Sequence, residues 1–219
     1  MTLFPKAGPV VRAVLLIGAP LALAGCLSSI LPEPGEPPKI YRLIQPELDV
    51  QKRSGAKVVR VDNPASSRTY NTRDVLVITS DGTLSSAGGA QWADTIPQLV
   101  QDVALSRLSQ SEDYISVIPV AGARADLRMH VEIRDFSASY DRGDLAPPLA
   151  VSQFYVTISD ASTRNFIASR AVRAQARARD NRVSEIVRAQ SDATQQAMGI
   201  VVDWMNGLAV ASPDAQTGF

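Results

Sequence analysis

Residues 126–139 alternate in polarity. Leu127, Met129, Val131 and Ile133 fall on one parity, and Arg128, His130, Glu132 and Arg134 on the other. A period of two over this length predicts a strand with one buried and one solvated face. Beyond Asp135 the apolar parity changes to Phe136, Ala138 and Tyr140. One inserted residue produces such a switch, so a β-bulge is expected near Asp135. Residues 151–159 and 165–179 are expected to form a hairpin around the turn-rich stretch 160–164. In its second arm Phe166, Ala168, Val172, Ala174, Ala176 and Ala178 share one parity, and Arg173, Gln175, Arg177 and Arg179 share the other. The small residues on the first face would let a helix approach closely.

The remaining periodicities supply that helix and the rest of a sheet. Residues 40–44 and 57–61 read as strands closed by Pro46 and by Asn63-Pro64. The run Val75-Leu76-Val77-Ile78 presents apolar groups on both strand faces, the mark of an interior strand. A turn at 80–83 follows, then a short returning strand at 84–89 and a further strand at 114–119. Trp92, Ile96, Leu99, Val100, Val103 and Leu108 recur at helical steps, which predicts a helix opening at Trp92 with a break or kink at Pro97. A last helix is expected over 182–208, capped by Asn181 and weakened at its end by Gly207. Its stripe comprises Val183, Ile186, Val187, Ala193, Ala197, Ile200, Val201, Trp204 and Leu208. The fold class expected is α+β: a single domain, with a mainly antiparallel sheet carrying both helices on one face and the alanine face beneath the second helix.

The amino terminus has a different character. Lys6 and Arg12 precede an uncharged run from residue 13 to 24, and the run ends in Leu23-Ala24-Gly25-Cys26. A basic start, a short apolar middle and small residues before a cut site make a secretory signal, too short to span a bilayer comfortably. Leu23-Ala24-Gly25-Cys26 resembles the bacterial lipobox, in which the cysteine is acylated and becomes the first residue of the mature chain. Several acyl chains, each methylene contributing about 0.8 kcal/mol, hold a protein lastingly at a membrane. By the same resemblance, Leu27 in place of an aspartate implies sorting to the outer membrane, with the domain facing the periplasm. Four prolines between residues 31 and 38 predict an extended tether. The chain thus divides into a signal peptide (1–25), a lipidated cysteine and tether (26–38), a folded domain (39–210) and a disordered tail (211–219).

Composition narrows the function. The 22 basic and 22 acidic residues balance, and nothing in them suggests a nucleic-acid partner. Cys26 is the sole cysteine, so no disulfide can contribute. No catalytic, metal-ligating or cofactor-binding pattern emerges. His130, the single histidine, sits by parity among charged neighbours and reads as a solvated sheet residue rather than a general base. Glu132 and Asp135 read as surface carboxylates, since the expected bulge separates them. Trp92 and Trp204 read as core. The arginines at 164, 170, 173, 177, 179, 182 and 188 are the one charge feature of note. They make either a solvated face or a docking surface, for which Arg173, Arg177 and Arg179 are the candidates.

Tyr41-Arg42-Leu43 after the tether, Thr72-Arg73-Asp74-Val75-Leu76-Val77, and Gly89-Ala90-Gln91-Trp92-Ala93-Asp94 before a helix ending in Leu105-Ser106-Arg107-Leu108 are similar in order and spacing to the ABC-type transport auxiliary lipoproteins. The stretch Leu84-Ser85-Ser86-Ala87 departs from the aromatic-containing strand of that family. The resemblance implies a non-enzymatic accessory of transporters built around mammalian-cell-entry (MCE) domains, with an MCE protein as partner and lipid as cargo. The alternative is a structural or regulatory lipoprotein of the outer membrane, docking to a cell-wall enzyme or to peptidoglycan.

Overall fold

The computed structural model describes residues 36–44 and 55–210. The expected signal segment, Cys26, the tether up to residue 35 and the tail from 211 onward lie outside the described residues. In chain order the elements are β1 (Lys39–Tyr41), β2 (Lys57–Val61), β3 (Ala65–Ser66), β4 (Asp74–Ile78), β5 (Leu84–Trp92), α1 (Ile96–Ser109), β6 (Tyr114–Val117), a 3₁₀ turn (Pro119–Ala121), β7 (Leu127–Ser139), β8 (Leu149–Asp160), β9 (Phe166–Arg177) and α2 (Val183–Val210).

The sheet assembles on β7. Along one side β7 pairs antiparallel with β8, which pairs antiparallel with β9. Its other side takes three parallel partners in succession: β2 near Leu127–Met129, β3 at Glu132–Ile133, and β4 at Ala138–Ser139. Beyond β2 lies β6, and beyond β4 lie β5 and then β1. The long pairings are antiparallel, as expected, and the short ones are mostly parallel. The α+β class holds.

The bulge falls where the parity switch places it. Ile133 lies opposite Phe154 and Asp135 opposite Gln153, which leaves Arg134 as the extra residue. Ile133 and Phe136 therefore both enter the core. The β8–β9 hairpin also forms. The Asp160 carboxylate accepts the N–H groups of Ser162 and Thr163 at 2.9 and 2.7 Å, and both their hydroxyls. These donors, the Thr163 N–H foremost, hold the Asp160 carboxyl far below the usual carboxylate range. The turn closes through Arg164 at φ 63°, a left-handed conformation.

Four expectations need correction. Trp92 does not open a helix; it is the last residue of β5, which runs on past residue 89. Ala90 and Trp92 are buried at strand spacing, and Trp92 meets Phe136 edge-on with ring centroids 6.0 Å apart. Consequently Pro97 breaks nothing. With Thr95 at the N-cap, it occupies the first turn of α1, where its missing N–H is not needed. Asn181 does not cap α2. The Arg182 carbonyl accepts the first helical N–H groups, Asp180 accepts the N–H of Arg182, and Asn181 donates instead to the carbonyls of Asp144 and Leu145. Finally, Phe166 leaves the alanine parity. Ala168 lies opposite Ile158 but Phe166 lies opposite Ser159, so Ile167 is bulged and Phe166 turns outward, 67 % exposed.

Both helices join one apolar core, α1 packing on β2 and β6 and α2 on β7, β8 and β9, with the helices touching each other. Val172, Ala174 and Ala178 are buried beneath α2, while Ala193 and Ala197 of the helix are fully buried. The buried arc of α2 is wider than its apolar stripe because it also holds Gln190, Ser191 and Thr194. Each finds partners. Gln190 donates to the Val151 carbonyl (3.0 Å) and to Ser152 Oγ (2.9 Å), and the Ser152 and Thr194 hydroxyls lie 2.9 Å apart. Ser191 Oγ accepts the Ile44 N–H, and Gln195 donates to the Ile44 carbonyl. A satisfied polar seam of this kind fixes the axial position of a helix on a sheet.

Candidate functional site

The α2 helix covers one face of β7, β8 and β9. On the other face the second parity of each strand presents a polar surface, except where Ser137 and Val151 lie opposite each other and are buried. Cross-strand register sets its rows: Arg173–Gln153–Asp135, then Ala171–Tyr155–Glu132, then Ser169–Thr157–His130. Tyr155 is exposed, and its hydroxyl donates to Ser169 Oγ at 2.8 Å.

The three candidate arginines share this parity but not one environment. Arg177 grips Asp141 with two parallel hydrogen bonds of 2.8 and 2.7 Å and also donates to the Pro147 carbonyl at 2.9 Å. This fork braces the loop between β7 and β8 against the end of β9. The hydrogen bond lowers the Asp141 carboxyl below its ordinary range and raises the Arg177 guanidinium. Arg179 is three-quarters exposed, with its Nε 4.0 Å from Glu185. Arg173 is exposed and makes no ion pair among the described residues. Arg182 closes on Asp180, and Arg188 lies 3.8 Å from Glu185. Cys26 lies outside the described residues.

The residues weighed for catalysis are not brought together. His130 is half-exposed, with Nδ1 4.0 Å from an Asp62 carboxylate that Arg128 already holds. Glu132 accepts from Arg134 at 2.8 Å. Asp135 accepts from Ser137 and, at 3.3 Å, from the Tyr70 hydroxyl. Burial first, and the Asp135 charge second, push the Tyr70 phenol up to about 12. No group of three or more potential metal ligands occurs among the described residues. An apolar pocket of about 80 Å³ between Leu127, Ile158, Ile167 and Met205 is well below the few hundred Å³ of an ordinary ligand site.

Sequence reasoning missed two polar clusters, Arg177–Asp141 and Asp62 with Arg60, Arg128 and His130. Both join residues far apart in the chain, and no local spacing announces them.

The model of the ABC-type transport auxiliary lipoprotein component matches residues 41–200. The chain belongs to that family. The auxiliary-lipoprotein domain so defined spans every described element from β2 to β9, all of α1 and most of α2. Its fold recurs in solved structures. A crystal structure of a protein from Xanthomonas campestris superimposes with a TM-score of 0.67 at 18 % identity, covering 82 % of this chain and 100 % of the other. A structure of an uncharacterized protein gives 0.63 at 15 % identity, covering 78 % and 99 %. A protein from Chlamydia trachomatis gives 0.51 at 12 % identity, covering 72 % and 99 %. At these identities the likeness establishes the fold. No curated protein matches the chain.

Proposed function

We propose that this auxiliary lipoprotein is a non-enzymatic component of an MCE-type ABC transporter that moves lipids or other hydrophobic solutes between membranes. It is anchored in the outer membrane through acylated Cys26 and holds its domain in the periplasm on the proline-rich tether. The observation that carries this is the family match over residues 41–200, behind an amino terminus ending in Leu23-Ala24-Gly25-Cys26. The family name ties the domain to an ABC system, and the lipobox resemblance ties it to a membrane. The polar face of β7–β9 supports a role exercised by contact. Arg173 and Arg179 would meet the MCE partner there, and Arg177, engaged with Asp141, would hold the loop beside them in place.

Two measurements test this. Cys26→Ser should abolish fatty-acid labelling and release the protein from the outer-membrane fraction; undiminished labelling would exclude the anchor. The acylated wild type, purified in mild detergent, should capture the MCE protein of its own envelope. Failure to capture it under any salt condition, with binding to isolated cell wall instead, would replace the transport role with a cell-wall one.

A further inference from the structure

The strand carrying the arginines is also an open edge. β9 pairs with β8, and no described strand lies on its other side. The Ala178 N–H donates to the Pro148 carbonyl at 2.9 Å. Hydrogen-bonded pairs alternate along an antiparallel ladder, so Ala176, Ala174, Val172 and Arg170 bond toward β8. Ser169, Ala171, Arg173 and Gln175 therefore turn their N–H and C=O groups toward the open edge. Such a row is a template for another strand, which sheets blunt with proline, charge, a bulge or a covering element. Residues 166–175 hold no proline, and no described strand pairs beyond them. The bulge lies at Ile167, so the ladder is regular from Ala168 onward, and the charges are all basic. The first half of the strand is also exposed on both faces, with Phe166 at 67 % and Ile167 at 45 %.

Charge selects the occupant. Between Arg164 and Arg179 there are five arginines and no acidic residue. Two copies of β9 placed edge to edge would set like charges against each other, which destabilises a pair. A strand with acidic residues meets no such penalty and gains from Arg173 on one face of the sheet or Arg170 on the other. We propose that the edge of β9 receives an extended acidic segment of the protein partner as an added strand, with an apolar residue of that segment passing over Phe166 and Ile167. Main-chain hydrogen bonds would supply the affinity and the arginines the selectivity. This rests on the reading that the domain works by docking, and adds to it the mode of docking and the chemistry of the partner.

The test uses the acylated full-length protein in detergent and two short synthetic peptides, one alternating valine with glutamate and one alternating valine with lysine. The glutamate peptide should slow amide hydrogen exchange at Ala171, Arg173 and Gln175, and the lysine peptide should not. Ala171→Pro removes one outward N–H without touching the β8 ladder. It should weaken glutamate-peptide binding roughly three- to tenfold, the worth of about one hydrogen bond, with an unchanged melting temperature. Arg173→Glu should weaken it further and shift preference toward the lysine peptide. Unaltered exchange in the wild type would overturn the proposal whatever the variants do. So would concentration-dependent self-association that protects the same amides, or binding to phosphatidylglycerol vesicles that competes with the peptide and is indifferent to Ala171→Pro. The two readings separate cleanly. Peptide protection without capture of an MCE protein removes the transport role and keeps the edge. Capture that survives Ala171→Pro, with no protection, removes the edge and keeps the role.

Discussion

Replacing Ala174 with leucine tests the packing on which the helix-covered face depends. Ala174 is 5 % exposed, lies opposite the fully buried Ser152, and sits beneath α2 where Thr194 reaches that serine. The β8–β9 ladder and the Gln190 and Thr194 contacts fix the distance between sheet and helix. Leucine would add three carbon atoms at a position already buried between sheet and helix, and overpacking of that kind costs about 1–3 kcal/mol. For a domain of this size each kcal/mol moves the melting temperature about 2–4 °C, so a fall of about 2–12 °C is expected. Gln175→Leu is the internal control. It is the next residue, points away from α2 and is exposed, so its effect should stay within about 0.5 kcal/mol. Thermal unfolding followed by circular dichroism measures both. Equal melting of the two variants, or the larger loss at Gln175, would show that the parity assigned to β9 is inverted.

Three further outcomes are expected. Because the folded-state pKa of Tyr70 is raised from 10.0 to about 12, its contribution to stability is complete below pH 10 and fades as pH climbs toward 12. Burial also raises Tyr114 and Tyr140, so the late tyrosinate absorbance step should lose one tyrosine's amplitude in Tyr70→Phe. Asp141 is shifted the other way, chiefly by the Arg177 hydrogen bond. Its contribution is present above the ordinary carboxylate range and lost on acidification, so any gap in melting temperature between wild type and Asp141→Asn should close as pH falls. Gln190→Leu removes two buried hydrogen bonds and should lower the urea midpoint by the equivalent of about 1–3 kcal/mol with an unchanged slope.

What the sequence made legible was periodicity wherever one period stood alone. β7 alternates in long side chains of opposite character, so both the strand and its bulge could be read before any contact was known. Trp92 was misread because two periods coincide on it. It stands two residues from buried Ala90 and four from buried Ile96, and the small residues of β5 give no strand signal to break the tie. Parallel pairing was invisible for a related reason. The apolar residues of β2 and β4 read the same whether those strands lie parallel or antiparallel to β7, and only topology distinguishes the two. Asn181 had the chemistry of a cap, but the Asp144 and Leu145 carbonyls compete for its side chain.

The arginines show most clearly where sequence reasoning ends. Spacing gives their parity and the sign of their charge, which suffices to say that one face of β9 is basic. It cannot say which charges remain available. Asp141 lies 36 residues from Arg177, and their fork turns one of the three candidates into a brace for a loop. Arg173 has no such partner among the described residues, and it stands where the backbone also offers unpaired groups to an open edge. Those two properties share an origin. The alanine parity lets α2 settle closely over the strand, which fixes the opposite parity outward and, in the same step, the direction of each outward N–H. A docking surface on this domain would then follow from its packing: the buried alanines decide which way the arginines and their backbone groups face.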